Sequence, residues 1–423
     1  MSNSTKSKIA IAVCAIALLG LVASKRLRTM FAATGPIRLT PPTTAIPPQF
    51  FGLHIHRAFS TTPWPPVPFG AWRLWDAKVH WYQVEPAKNR WDWTILDREV
   101  QLAEQHHVDL EIPFGETPDW AEAPHPKTIS GHEVIGDVAD LDDWRTFIRT
   151  QAERYKGRIS YYEIWNEPDL PKSQLIGSPE RMLTLAREAY TVLKQVDPNI
   201  KVISPSPVNP NGLDWLDRYL GLGGGKYADI IGYHFYVRTR PEAMLDLILP
   251  AKEIMQKHGV GDKPLWNTES GWIRSPRTDK IDPVRQAPGW AARAYLLNWA
   301  AGVQRFYWYA WDDDGGDSIP FTEEDEKTIT VSARAYGEVQ RWMVGARMDS
   351  CEKDGAGNWV AKLTRDSGKS AWILWNEDRN TKFDVPRAWR VDHLRTLSEE
   401  ESAWSGGQLE LSELPVMLQG TGH

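Results

Sequence analysis

Eight short runs of apolar and aromatic residues punctuate the middle of the chain, at 49–56 (QFFGLHIH), 70–76 (GAWRLWD), 108–115 (VDLEIPFG), 159–168 (ISYYEIWNEP), 201–207 (KVISPSP), 228–236 (ADIIGYHFY), 264–272 (PLWNTESGW) and 305–313 (RFYWYAWDD). Most are followed by a longer segment whose apolar positions recur every three to four residues, as at 93–107, 142–155, 179–196, 241–259 and 288–302. Short strands alternating with helical segments predict parallel βαβ units, hence an α/β fold. Eight such units predict a closed (β/α)8 TIM barrel, and a last helical segment at 332–345 would complete it. Ser178 before Pro179 reads as a helix start, and Pro250 is expected to kink the helix that contains it.

Beyond Gly345 the period drops to two, at 358–365, 370–377 and 407–414, with Gly, Asp and Asn between the runs. This predicts a small C-terminal β-sandwich-like domain over 347–423, packed on a barrel at 49–346. Residues 34–48, rich in Pro, Thr and Ala, read as a linker. In the segment 1–33, Lys6 and Lys8 precede an apolar run at 9–23, short for a membrane-crossing helix of ~17 to 25 residues and typical of a signal peptide. Lys25, Arg26 and Arg28 follow with no small-residue cleavage site, so a cleaved signal peptide and an uncleaved membrane anchor both remain open. Either implies export to the periplasm or another extracytoplasmic location, with a membrane contact if the segment is retained.

The 423 residues are 42% hydrophobic and 25% charged, as in ordinary globular proteins, and the net charge of -6 offers no basic stripe. A nucleic-acid partner is not expected. Of two cysteines, Cys14 lies in the apolar run and Cys351 in the folded part, which leaves no intramolecular disulfide there. Trp (22) outnumbers Tyr (13) and Phe (11). Such flat amphipathic rings serve a core and also the apolar faces of sugars.

In a (β/α)8 barrel the chemistry sits at the C-terminal strand ends. The fourth strand ends in Asn166, Glu167 and Pro168, and the seventh supplies Glu269. Glu163, inside the fourth strand, also needs a partner. Glycoside hydrolysis requires two carboxyl groups flanking the anomeric carbon, separated by ~5 to 5.5 Å for retention and ~6.5 to 9.5 Å for inversion. His234 and Tyr236 share strand parity, as do His54 and His56, so each pair can face the barrel mouth and contact sugar hydroxyls. Trp75, Trp120 and Trp272 lie near strand ends as possible sugar platforms, whereas Trp81, Trp91 and Trp93 read as packing residues. Among Glu111, Glu116 and Asp119, Glu116 is the acid most suited to touch substrate.

Two segments, IWNEPD (164–169) and NTESGW (267–272), together with RLWD, W-x-x-x-E-P (81–86), T-P-x-W (117–120) and GYHFY, resemble the motifs of clan A glycoside hydrolases, most closely family 39. The resemblance implies Glu167 as acid/base, Glu269 as nucleophile, Asn166 as donor to the substrate 2-hydroxyl, Arg73 and Tyr236 as holders of Glu269, and Trp308, with Trp311 its rival, as the aromatic floor of the cleavage subsite. It further implies a cofactor-free, monomeric O-glycosyl hydrolase acting on a β-linked oligo- or polysaccharide, an exopolysaccharide in particular. Arg73 and Tyr236 are expected to keep Glu269 ionised while Glu167 is raised, driving the two pKa values apart.

Two other classes compete. His54, His56, His234 and Asp312 or Asp313 are similar to the ligand set of a metal-dependent amidohydrolase, but the fourth strand lacks a lysine and the fifth a histidine. A non-catalytic carbohydrate-binding barrel would keep the aromatic cleft without needing both glutamates.

Overall fold

The computed structural model describes residues 35–129, 132–272, 284–312 and 319–420. Segment 1–33 with Cys14, and Asp313, therefore lie outside the described residues. Among the described residues no helix is long and apolar enough to cross a membrane.

The eight apolar runs supply strands β1 (Phe51–His54), β2 (Ala71–Arg73), β3 (Asp109–Pro113), β4 (Tyr161–Glu163), β5 (Lys201–Ile203), β6 (Ile231–Tyr233), β7 (Leu265–Gly271) and β8 (Val303–Tyr309). They form a parallel sheet in the order β5-β4-β3-β2-β1-β8-β7-β6. A parallel bridge between Ile203 and Ile230, with Ser204 N–H donating to Ile230 O at 3.0 Å, joins the two ends into a ring. The strands are nearly continuous in buried residues, as expected of a sheet covered on both faces.

The helices are α1 (Trp81–Val84) and α2 (Thr94–His106) after β2, α3 (Leu141–Arg154), α4 (Pro179–Val196), α5 (Asn211–Gly221), α6 (Leu245–Lys257), α7 (Ala287–Ala300) and α8 (Val331–Met343). Side chains of Asp140, Ser178 and Thr330 cap α3, α4 and α8, satisfying backbone N–H groups that the helix leaves unpaired. Pro250 lies within α6. Between β1 and β2 there is no α-helix. Instead the Asp312 carboxylate accepts from the backbone N–H of His56 and Arg57 and from Thr62 Oγ1, pinning that loop to the end of β8.

The C-terminal residues form β9 (Ala346–Lys353), β10 (Asn358–Arg365), β11 (Ser370–Asn376), β12 (Thr381–Asp384), β13 (His393–Thr396), β14 (Glu401–Ala403), β15 (Gln408–Leu411) and β16 (Val416–Gln419). An antiparallel sheet runs β9-β10-β11-β16-β13-β14, and the ribbon β12-β15 packs over it around Trp372, Leu374, Leu409, Leu411 and Leu418. The predicted linker is corrected here. Ile37–Leu39 is a strand that pairs antiparallel with β9 and extends this sheet, and Ile46 is tied to Ala346 and Gly345 by backbone hydrogen bonds. Buried Leu39 and Ile46 supply the apolar anchors that a free tether would lack.

The barrel lumen is filled in layers. At its base the Arg305 guanidinium lies 4.1 Å over the Trp266 ring and 4.5 Å over Tyr161, and donates to Asp109 at 2.8 Å. Higher up, a Cβ at Gly232 would stand 2.2 Å from Ser206 Oγ, so only glycine fits there.

Candidate active site

Arg73, on β2, is fully buried and organises the upper lumen. Its Nε donates to Glu163 Oε2 at 2.7 Å, Nη1 to Glu269 Oε2 at 2.8 Å and Nη2 to Asn166 Oδ1 at 2.7 Å, while Glu111 Oε1 stands 3.2 Å from Nε. One guanidinium cannot neutralise three buried carboxylates. Burial and the neighbouring Glu163 charge hold Glu111 well above the ordinary carboxylate range. For Glu163, burial works upward but Arg73 and His234 outweigh it, and the group stays ionised. Arg73 is thus the partner that Glu163 required inside its strand.

Glu269 reaches the mouth through an irregularity in β7. Against β8, Asn267 pairs with Phe306 but Ser270 pairs with Trp308, so three residues on one strand oppose two on the other. A bulge of this kind re-aims a side chain. Thr268 Oγ1 turns into the lumen to donate to Ser206 Oγ, and Glu269, one residue later, also faces inward, where Tyr236 O–H donates to its Oε1 at 3.0 Å. His54 is completely buried and its Nε2 lies 3.2 Å from Thr268 O. It supports the bulge instead of contacting a sugar, which corrects its predicted role. His56 faces Asp312 in the same way, with Nδ1 at 3.6 Å.

Glu167 lies just past β4 with φ of 48°, in the left-handed region, as do Asp76, Lys78 and Glu116. Its backbone N–H donates to Ser206 O, and its Oε1 stands 3.1 Å from His234 Nδ1. The same nitrogen is 3.9 Å from Glu269 Oε1, and one oxygen of each glutamate and a His234 nitrogen all lie within 4.8 Å of one another. Burial pushes Glu167 up to about 7, against the opposing charges of Lys172 and Arg73. Burial likewise brings His234 down to about 4, so the imidazole is neutral near pH 7. Glu269 is also raised by burial, against the permanent charge of Arg73. Burial thus raises both members of the pair, Glu167 to about 7. The asymmetry lies in the donors, since Glu269 receives a guanidinium and a phenol while Glu167 meets a neutral imidazole.

Several predicted aromatics fall elsewhere. Trp308 is 1% exposed, stacks on Phe321 at 5.2 Å and donates through Nε1 to Ile319 O. Along β8, Arg305 and Tyr307 face the lumen, so Trp308 has the opposite parity and points into the helical layer. Trp311 is buried beside Phe321 as well. Tyr309 occupies the lumen side instead, its O–H donating to Asp76 and its ring 5.1 Å from His54. Alternation from Arg305 would have indicated it. Trp272 is buried edge-on against Trp290, not open to a ligand. Trp75 is largely covered by His80 and by the Lys172 ammonium, 5.3 Å above its ring. Trp120 remains partly exposed.

Among the described residues, Glu167, His234 and Glu269 are the group that could offer three metal-ligand atoms. Arg73 Nη1 already satisfies Glu269 at 2.8 Å, and a divalent ion there would face a permanent positive charge at close range. The histidines of the amidohydrolase reading are dispersed, His54 onto Thr268 and His56 onto Asp312.

Comparison with known proteins agrees with this geometry. Residues 119–336, just over half of the chain, match the family described as the glycosyl hydrolase catalytic core. The chain belongs to the glycosyl hydrolase catalytic core family. It is a glycosidase whose barrel has the fold of family 39 glycoside hydrolases. The glycosyl hydrolase superimposes on a family 39 glycoside hydrolase from Bacteroides cellulosilyticus WH2 with a TM-score of 0.71 at 20% identity, over 89% of this chain and 81% of that one. It also matches a glucosidase from Croceicoccus marinus (TM-score 0.64, 12% identity, 91% and 98% of the two chains) and a family 39 β-xylosidase from Caulobacter crescentus (TM-score 0.62, 16% identity, 91% and 99%). Among proteins of curated function, none matches the sequence.

Proposed function

We propose that this glycosyl hydrolase is a retaining β-glycosidase in which Glu269 attacks the anomeric carbon and Glu167 first gives and then takes the proton. The observation that carries the reading is the pair of carboxyl groups at the strand ends, with oxygens within 4.8 Å. That approach of the nearest oxygens favours the ~5 to 5.5 Å of retaining enzymes over the ~6.5 to 9.5 Å of inverting ones.

In the first step the Glu269 carboxylate forms the bond to the anomeric carbon as the glycosidic bond breaks, and the Glu167 proton passes to the departing oxygen. In the second, Glu167 takes a proton from water, whose oxygen replaces Glu269 on the sugar and restores the β configuration. Asn166 is held through its Oδ1 by Arg73 while its buried Nδ2 has no partner among the described residues, which suits a donor to a substrate hydroxyl.

A β-linked polysaccharide, specifically an exopolysaccharide met outside the cytoplasm, is the substrate we infer. The N-terminal apolar segment supports export, and the resemblance to family 39 together with the C-terminal β domain supports the polymer. Proton NMR of the first-formed product from a β-glycoside tests the mechanism. The β anomer is expected, and an α anomer would sink the double displacement.

A further inference from the structure

We infer that the seam between the barrel and the C-terminal sheet holds a non-catalytic binding site for a neutral saccharide, built jointly by the two domains and separate from the catalytic pair. The site goes beyond the two-glutamate reading and holds whether or not Glu269 is the nucleophile.

A cavity of about 980 Å³ opens at this seam. That lies at the upper end of ligand pockets, roughly 300 to 1,000 Å³. The barrel contributes Arg240 and Glu242 from the segment between β6 and α6, and Trp290 from α7. The sheet contributes Lys353 of β9, Trp359 of β10 and Glu377 just past β11. Neither catalytic glutamate, nor Arg73, His234 or Tyr236, is among the residues that line it.

Two polar atoms in its walls are held in place and left without partners. Glu242 is 7% exposed, and its Oε1 accepts from Arg293 Nη1 at 3.2 Å and from Trp375 Nε1 at 3.0 Å, one donor from the barrel and one from the sheet. Its Oε2 is buried with no partner among the described residues, and the same is true of Nε1 of Trp290, a residue 8% exposed. The Trp290 ring packs edge-on against Trp272 with centroids 4.0 Å apart, which fixes the direction of its N–H before any ligand arrives. Glu377, in contrast, is satisfied. Trp359 donates to its Oε2 at 3.2 Å, and Lys353 and Arg240 stand 3.4 and 3.6 Å from its Oε1. One acceptor and one donor therefore remain for an occupant, and buried polar atoms in native proteins are seldom left unpaired.

The polarity of that pair selects the ligand. A hydroxyl both donates and accepts, so a ring bearing several can donate to the Glu242 carboxylate and accept from the Trp290 indole. An anionic sugar is disfavoured, because acidic side chains outnumber basic ones along the lining. A metal ion is disfavoured as well, since Arg293 already holds Glu242 and, among the described residues, no three ligand atoms gather there. For a glycosidase, the hydroxyl-rich molecule it meets is a glycan.

The test uses the full chain and short β-linked oligosaccharides of glucose, xylose or mannose carrying a photoactivated diazirine, with oligogalacturonate as the charged counterpart. After irradiation and proteolysis, mass spectrometry locates the label. Neutral probes should label peptides spanning 239–246 or 353–359, and oligogalacturonate should not. Glu242→Gln puts an amide where the free carboxylate oxygen stood and should cut labelling at the seam about tenfold, as should Trp290→Phe, while both hydrolyse aryl β-glycosides at the parental rate. If either variant fails to fold, the position of the label in the parent and the comparison with oligogalacturonate still decide. No label at the seam from any neutral probe, equal labelling by oligogalacturonate, or seam labelling that survives Glu242→Gln would overturn the site.

Discussion

Replacing Tyr236 with Phe removes one oxygen and leaves the ring in place, so it isolates a single hydrogen bond, the 3.0 Å contact from the phenol to Glu269 Oε1. A hydrogen bond to a charged group contributes roughly 1.5–3 kcal/mol. With about 1.36 kcal/mol per pKa unit, its loss should raise the apparent pKa of Glu269 by about one to two units. The sign follows from which form the phenol favours. It donates to the ionised carboxylate, so without it the proton is held more tightly, and the ionised nucleophile forms only at higher pH. The assay is kcat/KM against pH on a β-glycoside with a poor leaving group, whose departure needs the Glu167 proton. The acid limb should move up by that amount, while the alkaline limb, set by Glu167 at about 7, stays in place. The bell narrows, and its peak falls. An acid limb that does not move would refute the claim that Tyr236 holds the ionised Glu269.

Three further outcomes are expected. Glu167→Gln should slow hydrolysis of substrates with poor leaving groups by about 10²–10⁴-fold yet spare the first step on dinitrophenyl glycosides, read from burst kinetics; equal losses on both would exclude Glu167 as proton donor. Trp308→Phe should lower stability to denaturant by about 1 kcal/mol through loss of the bond to Ile319 while KM is unchanged, because the ring faces the helical layer; a large rise in KM would place the indole at the sugar after all. Glu99 is buried in α2 and burial pushes its carboxyl up to about 8, so its protonated form favours the fold fully below the unfolded value near 4.5, and that contribution is lost as pH rises through about 8. Melting curves of Glu99→Gln should accordingly show a smaller fall between pH 5 and 8 than the parent, and identical pH profiles would contradict the assignment.

The pattern of apolar runs was enough to position all eight barrel strands, because parallel strands covered on both faces read as short apolar blocks between helical segments. The polar residues at the ends of β4 and β7 were equally legible, since packing gives no reason for carboxylates there. What the pattern could not show is how side chains turn. Glu269 faces inward through a one-residue bulge, a feature of pairing between strands that no single-strand alternation reveals. Trp308 was misplaced because an aromatic beside a strand end suits either face until the parity is fixed by Arg305 and Tyr307. The strand Ile37–Leu39 hid among prolines and threonines, its partner lying some three hundred residues away on β9. Burial of Glu269 from every side, which lifts its carboxyl despite Arg73, is likewise a property of the assembled lumen.

The most direct test of the account is capture of the covalent intermediate. Incubation with an activated 2-deoxy-2-fluoro β-glycoside of the sugar released, followed by proteolysis and mass spectrometry, should yield one glycosylated peptide with the sugar on Glu269, and no adduct in Glu269→Ala. A label on another residue, or time-dependent inactivation that persists in Glu269→Ala, would contradict the assignment of Glu269 as nucleophile.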